Sequence, residues 1–248
     1  MKNLQSAVMY FHQGWTDIIN FLPIININAS IYENLTVIFR DDAKPLVDFY
    51  LKQFGNVTPF FDNKSKLDNY NSIIFNNLEG KKIEFYGLWD MYRNDEYKNS
   101  FTSSFENNFF VEKFYQCYGF DYIDRVNKFH YLRDFDLEEK KYQEFIKLHG
   151  DDYILIHQDE NRNLFLPTNK FGSKVINLNG STEILFDYLK ILIKSKEIHM
   201  IDSVWSNLIY LIDAKFGYFK EIPIYIYSLR GYDDMFTKPF KLSNWSII

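Results

Sequence analysis

One cysteine, Cys117, occurs in 248 residues. A single thiol excludes a disulfide within the chain and any zinc site built on several cysteines. It fits a reducing compartment. Basic blocks are missing too. The 28 Lys and Arg are outnumbered by 33 Asp and Glu, the formal charge is −5, and the cations do not cluster. Holding a polyphosphate backbone usually takes a basic patch, so nucleic acid is not an expected partner, and a transferase acting on DNA bases is disfavoured. No apolar run approaches the roughly 20 residues that cross a bilayer. Gln5, His12 and Gln13 interrupt the N-terminal stretch where a secretory signal would lie. These absences predict a cytoplasmic protein without a transmembrane segment. The five histidines form no HxxxH or HxH pair, so no metal is expected. There is no GxSxG elbow and no phosphate loop of the Walker type. Gly14 stands alone, so there is no dinucleotide fingerprint, and no cofactor is expected.

Core material is ample. Hydrophobic residues make up 46% of the chain, with 25 Phe and 19 Tyr. Asn, Ile and Lys are abundant as well, and AT-rich codons encode all five residue types. The aromatics are therefore read as base composition, not as a stacking surface for nucleic acid.

Strand and helix patterns alternate in two runs, 6–89 and 152–228. In the first, "SAVMYF" (6–11) is a strand and "TDIINFLPIINI" (16–27) a helix that Thr16 can cap. "LTVIF" (35–39) is a strand and "RDDAKPLVDFYLKQFG" (40–55) a helix. "NVTPFF" and "NSIIFNN" are weaker strands, and "KKIEFYGLW" (81–89) a further one. A less regular aromatic stretch follows, with a possible helix at 105–119. "LEEKKYQEFIKLHG" (137–150) is a helix that stops at Gly150. In the second run, "DYILIHQ", "SKVINLNG", "EIHMID" and "IPIYIYS" are strands. "STEILFDYLKILIKS" (181–195) and "SVWSNLIYLIDAKFG" (203–217) are helices. The tail reads as irregular. Such alternation predicts parallel sheets with helices on both faces. The expected fold is α/β, two Rossmann-like domains facing across a cleft, 1–136 and 137–248.

In such sheets ligands sit beyond the carboxyl ends of the strands. Here those ends are polar: His12–Asp17, Arg40–Asp42, His157–Arg162, Asn179–Thr182 and Asp202–Ser206. Asp202-Ser203-Val204-Trp205-Ser206-Asn207 leaves a strand and opens a helix. Its free N–H groups and positive dipole end suit a phosphate, with Ser203 and Ser206 as hydroxyl donors. The plain alternative is a capped helix that binds nothing. "NGSTE" (179–183), with Ser181 and Thr182, has the same two readings. In "IHQDENRN" (156–163), His157 leaves a strand and Arg162 can meet a diphosphate with a bidentate fork. The alternative is a solvated loop. His199 lies inside a strand and reads as a sheet residue.

In "YFHQGWTDIINFLP" (10–23), Gly14, then Asp17, then five residues to Pro23 resemble the start of glycosyltransferases of the ADP-heptose type. Those have the GT-B fold of two Rossmann-like domains. Trp15 and Thr16 separate the glycine from the acid, which is a departure from that family's adjacent pair. "EIHMIDSVWSNLIYLIDA" resembles the same fold's element that holds the nucleotide diphosphate, and "YILIHQDENRNLFLP" the start of its donor domain. The family's phosphate-binding lysine has no clear match, and Arg162 is the nearest substitute. The resemblance implies a metal-independent glycosyltransferase. A nucleotide-sugar would bind the second domain through His157, Arg162, Ser181, Thr182, Asp202, Ser203 and Ser206. A glycan or other hydroxyl acceptor would bind the first, beside His12, Gln13, Gly14, Trp15 and Arg40. Asp17 would take the acceptor's proton as general base; its structural alternative is a first-turn acid on an ordinary helix. The competing expectation is a nucleotide- or glycan-binding protein of the same fold without turnover.

Overall fold

The computed structural model describes residues 4–11, 14–62, 110–117, 119–167, 171, 174–178, 185–229, 236 and 240–248. The chain divides into two compact units, Met1–Tyr131 and Leu132–Ile248. The sequence-based boundary at 136 falls just inside a helix of the second unit. That helix starts at Phe135, where Asp134 accepts the Leu137 N–H, and Arg133 reaches forward to pair with Glu138.

The first unit has three parallel strands in the order β1-β2-β3: Leu4–Phe11, Tyr32–Arg40 and Val57–Asp62. Helix α1 (Trp15–Ala29) connects the first two. It begins a residue earlier than Thr16, with Gly14 as N-cap. It also runs through Pro23, although an interior proline costs a helix about 3 kcal/mol. Burial explains its persistence: Ile18, Ile19, Phe21, Leu22, Ile24 and Ile25 are all essentially inaccessible. Burying an apolar side chain contributes about 1.5–3 kcal/mol, so tertiary packing overrides the local penalty.

Helix α2 (Lys44–Leu51) carries its proline in the first turn, where no N–H is missed. Helices α3 (Phe110–Cys117) and α4 (Asp124–Asn127) close the unit. Tyr115 donates its hydroxyl to the Asn20 carbonyl at 2.7 Å. The fully buried Arg125 donates to Asn20 Oδ1 at 2.8 Å and to the Tyr122 hydroxyl at 2.9 Å. A chain of rings fills the core: Phe11 stacks on Phe21 and Phe39, Phe39 on Phe61, and Phe21 on Phe114. The expected strands over 71–77 and 81–89 lie outside the described residues, as does the first part of the 105–119 helix.

The second unit opens with helix α5 (Phe135–His149), which stops at Gly150 in a positive-φ conformation. Five parallel strands follow: β4 (Ile154–His157), β5 (Val175–Asn177), β6 (Ile198–Ile201), β7 (Ile224–Tyr227) and β8 (Trp245–Ile247). Their spatial order is β5-β4-β6-β7-β8. Helix α6 (Leu189–Ile193) leads into β6, and α7 (Val204–Phe216) joins β6 to β7. Gly217 ends α7 in the left-handed region, donating its N–H to the Asp213 carbonyl.

Strand β8 corrects the reading of the tail as irregular. Only three residues long, it has no period to reveal it. The buried Asp213 of α7 holds it: Asp213 Oδ2 accepts the Trp245 indole N–H at 2.9 Å. Asn244 donates to the carbonyls of Phe219 and Ile222. Among the described residues no helix is long and apolar enough to cross a membrane.

Candidate functional site

In the second unit the strand after β4, β5, lies on one side of it and the next, β6, on the other, with β7 and β8 continuing that way, so the order reverses between β4 and β6. An open parallel sheet has its natural ligand crevice at such a point, beyond the carboxyl ends. His157 is the last residue of β4, and Asp202-Ser203 follow β6 directly.

Register places the side chains. His157 pairs with Met200 and shares its face with Leu155 and Ile198. Its ring lies 6.3 Å from that of Trp205, which Tyr188 meets edge-on at 5.9 Å. His157 Nδ1 is buried and has no hydrogen-bond partner. Burial pushes its pKa down to about 4, against a smaller upward pull from Asp159. The ring is therefore neutral at pH 7. His199 on the other face makes the contrast: Nδ1 meets the Tyr227 hydroxyl at 3.2 Å and Nε2 meets Glu197 at 3.0 Å. Phe171 and Tyr225 pack against the His199 ring. It is the satisfied sheet histidine that its position in β6 predicts.

The start of α7 is held internally. Ser206 Oγ accepts the Ser203 N–H at 2.7 Å and donates to the Ser203 carbonyl at 2.9 Å, and Asn207 donates to the same carbonyl at 2.8 Å. Ser206 and Asn207 are thus buried as parts of the cap. Ser203 itself is 6% exposed, and its hydroxyl faces the Ser206 backbone N–H as the other half of the capping box. Asp202, just before it, is buried as well.

Loop 158–166 closes on itself. Asp159 and Leu164 exchange backbone hydrogen bonds at 3.0 and 2.9 Å, and Asn163 turns the chain with φ 55°. The Arg162 guanidinium faces Asp159 Oδ2 at 3.2 Å with its side chain 59% exposed. It is thereby engaged with a carboxylate, in an exposed pair of the kind worth about 0–1 kcal/mol.

In the first unit, Gly14 adopts φ −67°, which any residue can adopt, and an added Cβ would meet only Asp17 Oδ2 at 3.9 Å. No steric need for glycine exists there. Asp17 lies in the first turn of α1 and donates its own N–H to the Gly14 carbonyl at 3.0 Å. Trp15 is the first helical residue. Arg40 ends β2 and pairs with Asp42. His12, Gln13, Ser181 and Thr182 lie outside the described residues. So His157, Asp202, Ser203 and Ser206 come together at one switch point, and Gly14, Trp15 and Asp17 at one helix start.

Asn177 and Ser228 were missed by the sequence reading. Asn177 Oδ1 and Ser228 Oγ are buried without hydrogen-bond partners, at the carboxyl ends of β5 and β7. The available signal was the polar residue closing each apolar strand in "VIN" and "IYIYS". Among the described residues no group of three His, Cys, Asp or Glu is placed to hold a metal ion.

The fold and site so defined are those of an α/β protein with open parallel sheets and polar strand ends. No protein-family model matches the chain. No curated protein matches it in sequence. Among solved structures it is similar to the glycosyl transferase family 9 protein from Veillonella parvula DSM 2008. That similarity covers 100% of this chain and 87% of that one, at 10% identity and a TM-score of 0.49. A likeness at that level fixes neither fold nor activity.

Proposed function

We propose that the chain is a glycosyltransferase that moves a sugar from a nucleotide-sugar to a glycan or other hydroxyl acceptor without a metal. The observation that carries this reading is the start of α7. It is a helix N-terminus with a buried serine cap, placed at the switch point of a parallel sheet. Free N–H groups and the dipole there favour an anion, and a leaving diphosphate is the anion this chemistry requires. Ser206 contributes by holding the cap. His157, kept neutral, hydrogen-bonds the donor without adding charge. Arg162 exchanges its weak pair with Asp159 for the diphosphate, a stronger partner for its fork. Asp202, Ser181 and Thr182 complete the donor side. His12, Gln13, Gly14, Trp15 and Arg40 form the acceptor side. Asp17 accepts the acceptor's proton as the sugar transfers.

The test is release of nucleoside diphosphate from nucleotide-sugars by the pure protein in EDTA, with and without added glycan. Strict dependence on manganese or magnesium would overturn the metal-free mechanism. The engagement of Arg162 with Asp159 favours a second reading, a binding protein of the same fold. Tight diphosphate binding with no release of product from any donor would select it.

A further inference from the structure

Helix α1 is weak at both ends of its first two turns. Gly14, its N-cap, offers no side chain to the free N–H groups of the first turn. Pro23 has no N–H, so the Ile19 carbonyl loses its intrahelical donor. The stretch between them, 15–22, carries Asp17 in its first turn. Asn20 ties this stretch to α3 and α4. Its Nδ2 donates to the carbonyl of Thr16, the residue before Asp17, at 2.9 Å. Its Oδ1 accepts from Arg125 Nε at 2.8 Å, and its backbone carbonyl accepts the Tyr115 hydroxyl at 2.7 Å. Arg125 also donates to the Tyr122 hydroxyl at 2.9 Å. Asn20, Tyr115 and Arg125 are all fully buried.

We infer that Asn20, held by Arg125 and Tyr115, is a positioning residue that fixes the first turn of α1 and through it the carboxylate of Asp17. The role rests on the reading of Asp17 as the acceptor's base and adds the groups that aim it. A general base acts only within about 2.6–3.2 Å of the atom whose proton it takes. A misplacement of about 1 Å can cost about 10²-fold in rate. Helix ends fray unless something holds them, and the bond from Asn20 falls on the carbonyl beside Asp17. Apolar residues of similar volume stabilise a core as well as a buried guanidinium does, or better. What the polar contacts add is direction. Arg125 can only donate, so it fixes the Asn20 amide with its oxygen towards α4 and its N–H towards Thr16.

A double-mutant cycle on the full chain separates aiming from folding. The rate is release of nucleoside diphosphate per folded molecule from ADP-glucose, GDP-mannose or UDP-glucose, in water and with added maltotetraose. Asn20→Asp keeps an acceptor for Arg125 and removes the donor to Thr16. It is expected to lower kcat about tenfold with the donor KM unchanged, and to cost nothing further in the Asp17→Asn background. Tyr115→Phe adds no charge and loses only the hydroxyl. It should lower kcat about threefold, again with no further cost beside Asp17→Asn, and it decides the matter if Asn20→Asp does not fold. Where Asp17→Asn leaves too little rate to compare, the split decides: a loss in kcat alone supports the role, and a loss confined to KM or melting temperature overturns it. Equal losses in both backgrounds, or full activity in both single variants, overturn the positioning role and leave Asp17 as the base. Full activity in Asp17→Asn overturns the base and the positioning together, while the transferase reading stands. No release by wild type from any of these donors overturns all three.

Discussion

The carboxyl ends of the two sheets are built from the same kinds of residue and finish differently. In the first unit several polar groups are drawn into local structure. Arg40 pairs with Asp42, the Asp41 carboxylate accepts the Asp42 N–H at 2.8 Å, and Asp17 sits in the favourable first turn of α1. In the second unit Asn177 Oδ1, His157 Nδ1 and Ser228 Oγ, at three strand ends, are buried without hydrogen bonds. The interiors differ in parallel. Stacked phenylalanines fill the first. The second packs an aliphatic cluster of Ile154, Ile156, Leu166 and Ile201. An edge whose groups are already paired is one that local electrostatics stabilises. An edge with unmet hydrogen bonds is less stable alone. On the proposed glycosyltransferase reading, the donor binds the second unit, and the first supplies the acceptor side with Asp17 as its base.

The sharpest way to break that division is Asp17→Asn. Transfer is expected to fall by about 10²–10⁴, the worth of a positioned general base. Diphosphate affinity should stay unchanged, and stability should shift by no more than about 1 kcal/mol, because the amide still suits a helix start. A variant that melts early yet keeps its specific activity per folded molecule would make Asp17 a structural acid. Next in size is Phe21→Ala, which removes a ring stacked on Phe11 and Phe114. It should cost about 3–5 kcal/mol in chemical denaturation and spare diphosphate binding by the folded molecules. Loss of that binding would tie the second unit's site to the first unit's core.

The two histidines of the second sheet supply a third test. Burial depresses the pKa of His157 to about 4, below its value of about 6.5 in the unfolded chain. Between these pH values the unfolded state binds more protons than the folded state. The stability that His157 leaves intact above pH 6.5 is therefore lost progressively as pH falls to 4. The full loss is about 3 kcal/mol. His157→Gln should flatten that acid limb relative to wild type in urea unfolding at stepped pH. Identical slopes would show that the ring is not held neutral. The smallest effect belongs to Arg162→Ala: about 1 kcal/mol of diphosphate affinity, after subtracting the Asp159 pair it gives up, and no measurable change in melting temperature. A large loss of stability would mean that the pair organises loop 158–166.

Much of the second unit could be read from the chain. "EIHMI" followed by Asp-Ser announces a strand and a capped helix, and both form, with Gly150 and Gly217 ending helices in the left-handed region. The switch point was legible only as polar strand ends. The strand order that gives those ends meaning comes from long-range pairing. Asn177 and Ser228 were overlooked for the same reason: a polar residue after a strand looks like ordinary loop until its burial is known. In the first unit the helix read over 16–27 forms as α1 through Pro23, because both sides of it are packed.

The amino-acid sequence by itself determined the alternation of strand and helix, the polar character of the strand ends and the helix starts, since these follow from side-chain periodicity and capping chemistry within a few residues. Only the tertiary structure decided which groups at those ends remain without partners. Arg162 met Asp159 three residues away, and Ser206 closed on Ser203. His157 Nδ1, Asn177 Oδ1 and Ser228 Oγ, at three strand ends, were buried without hydrogen bonds. Whether a polar atom is satisfied depends on which strands adjoin and what covers them, and residues far apart in the chain set that.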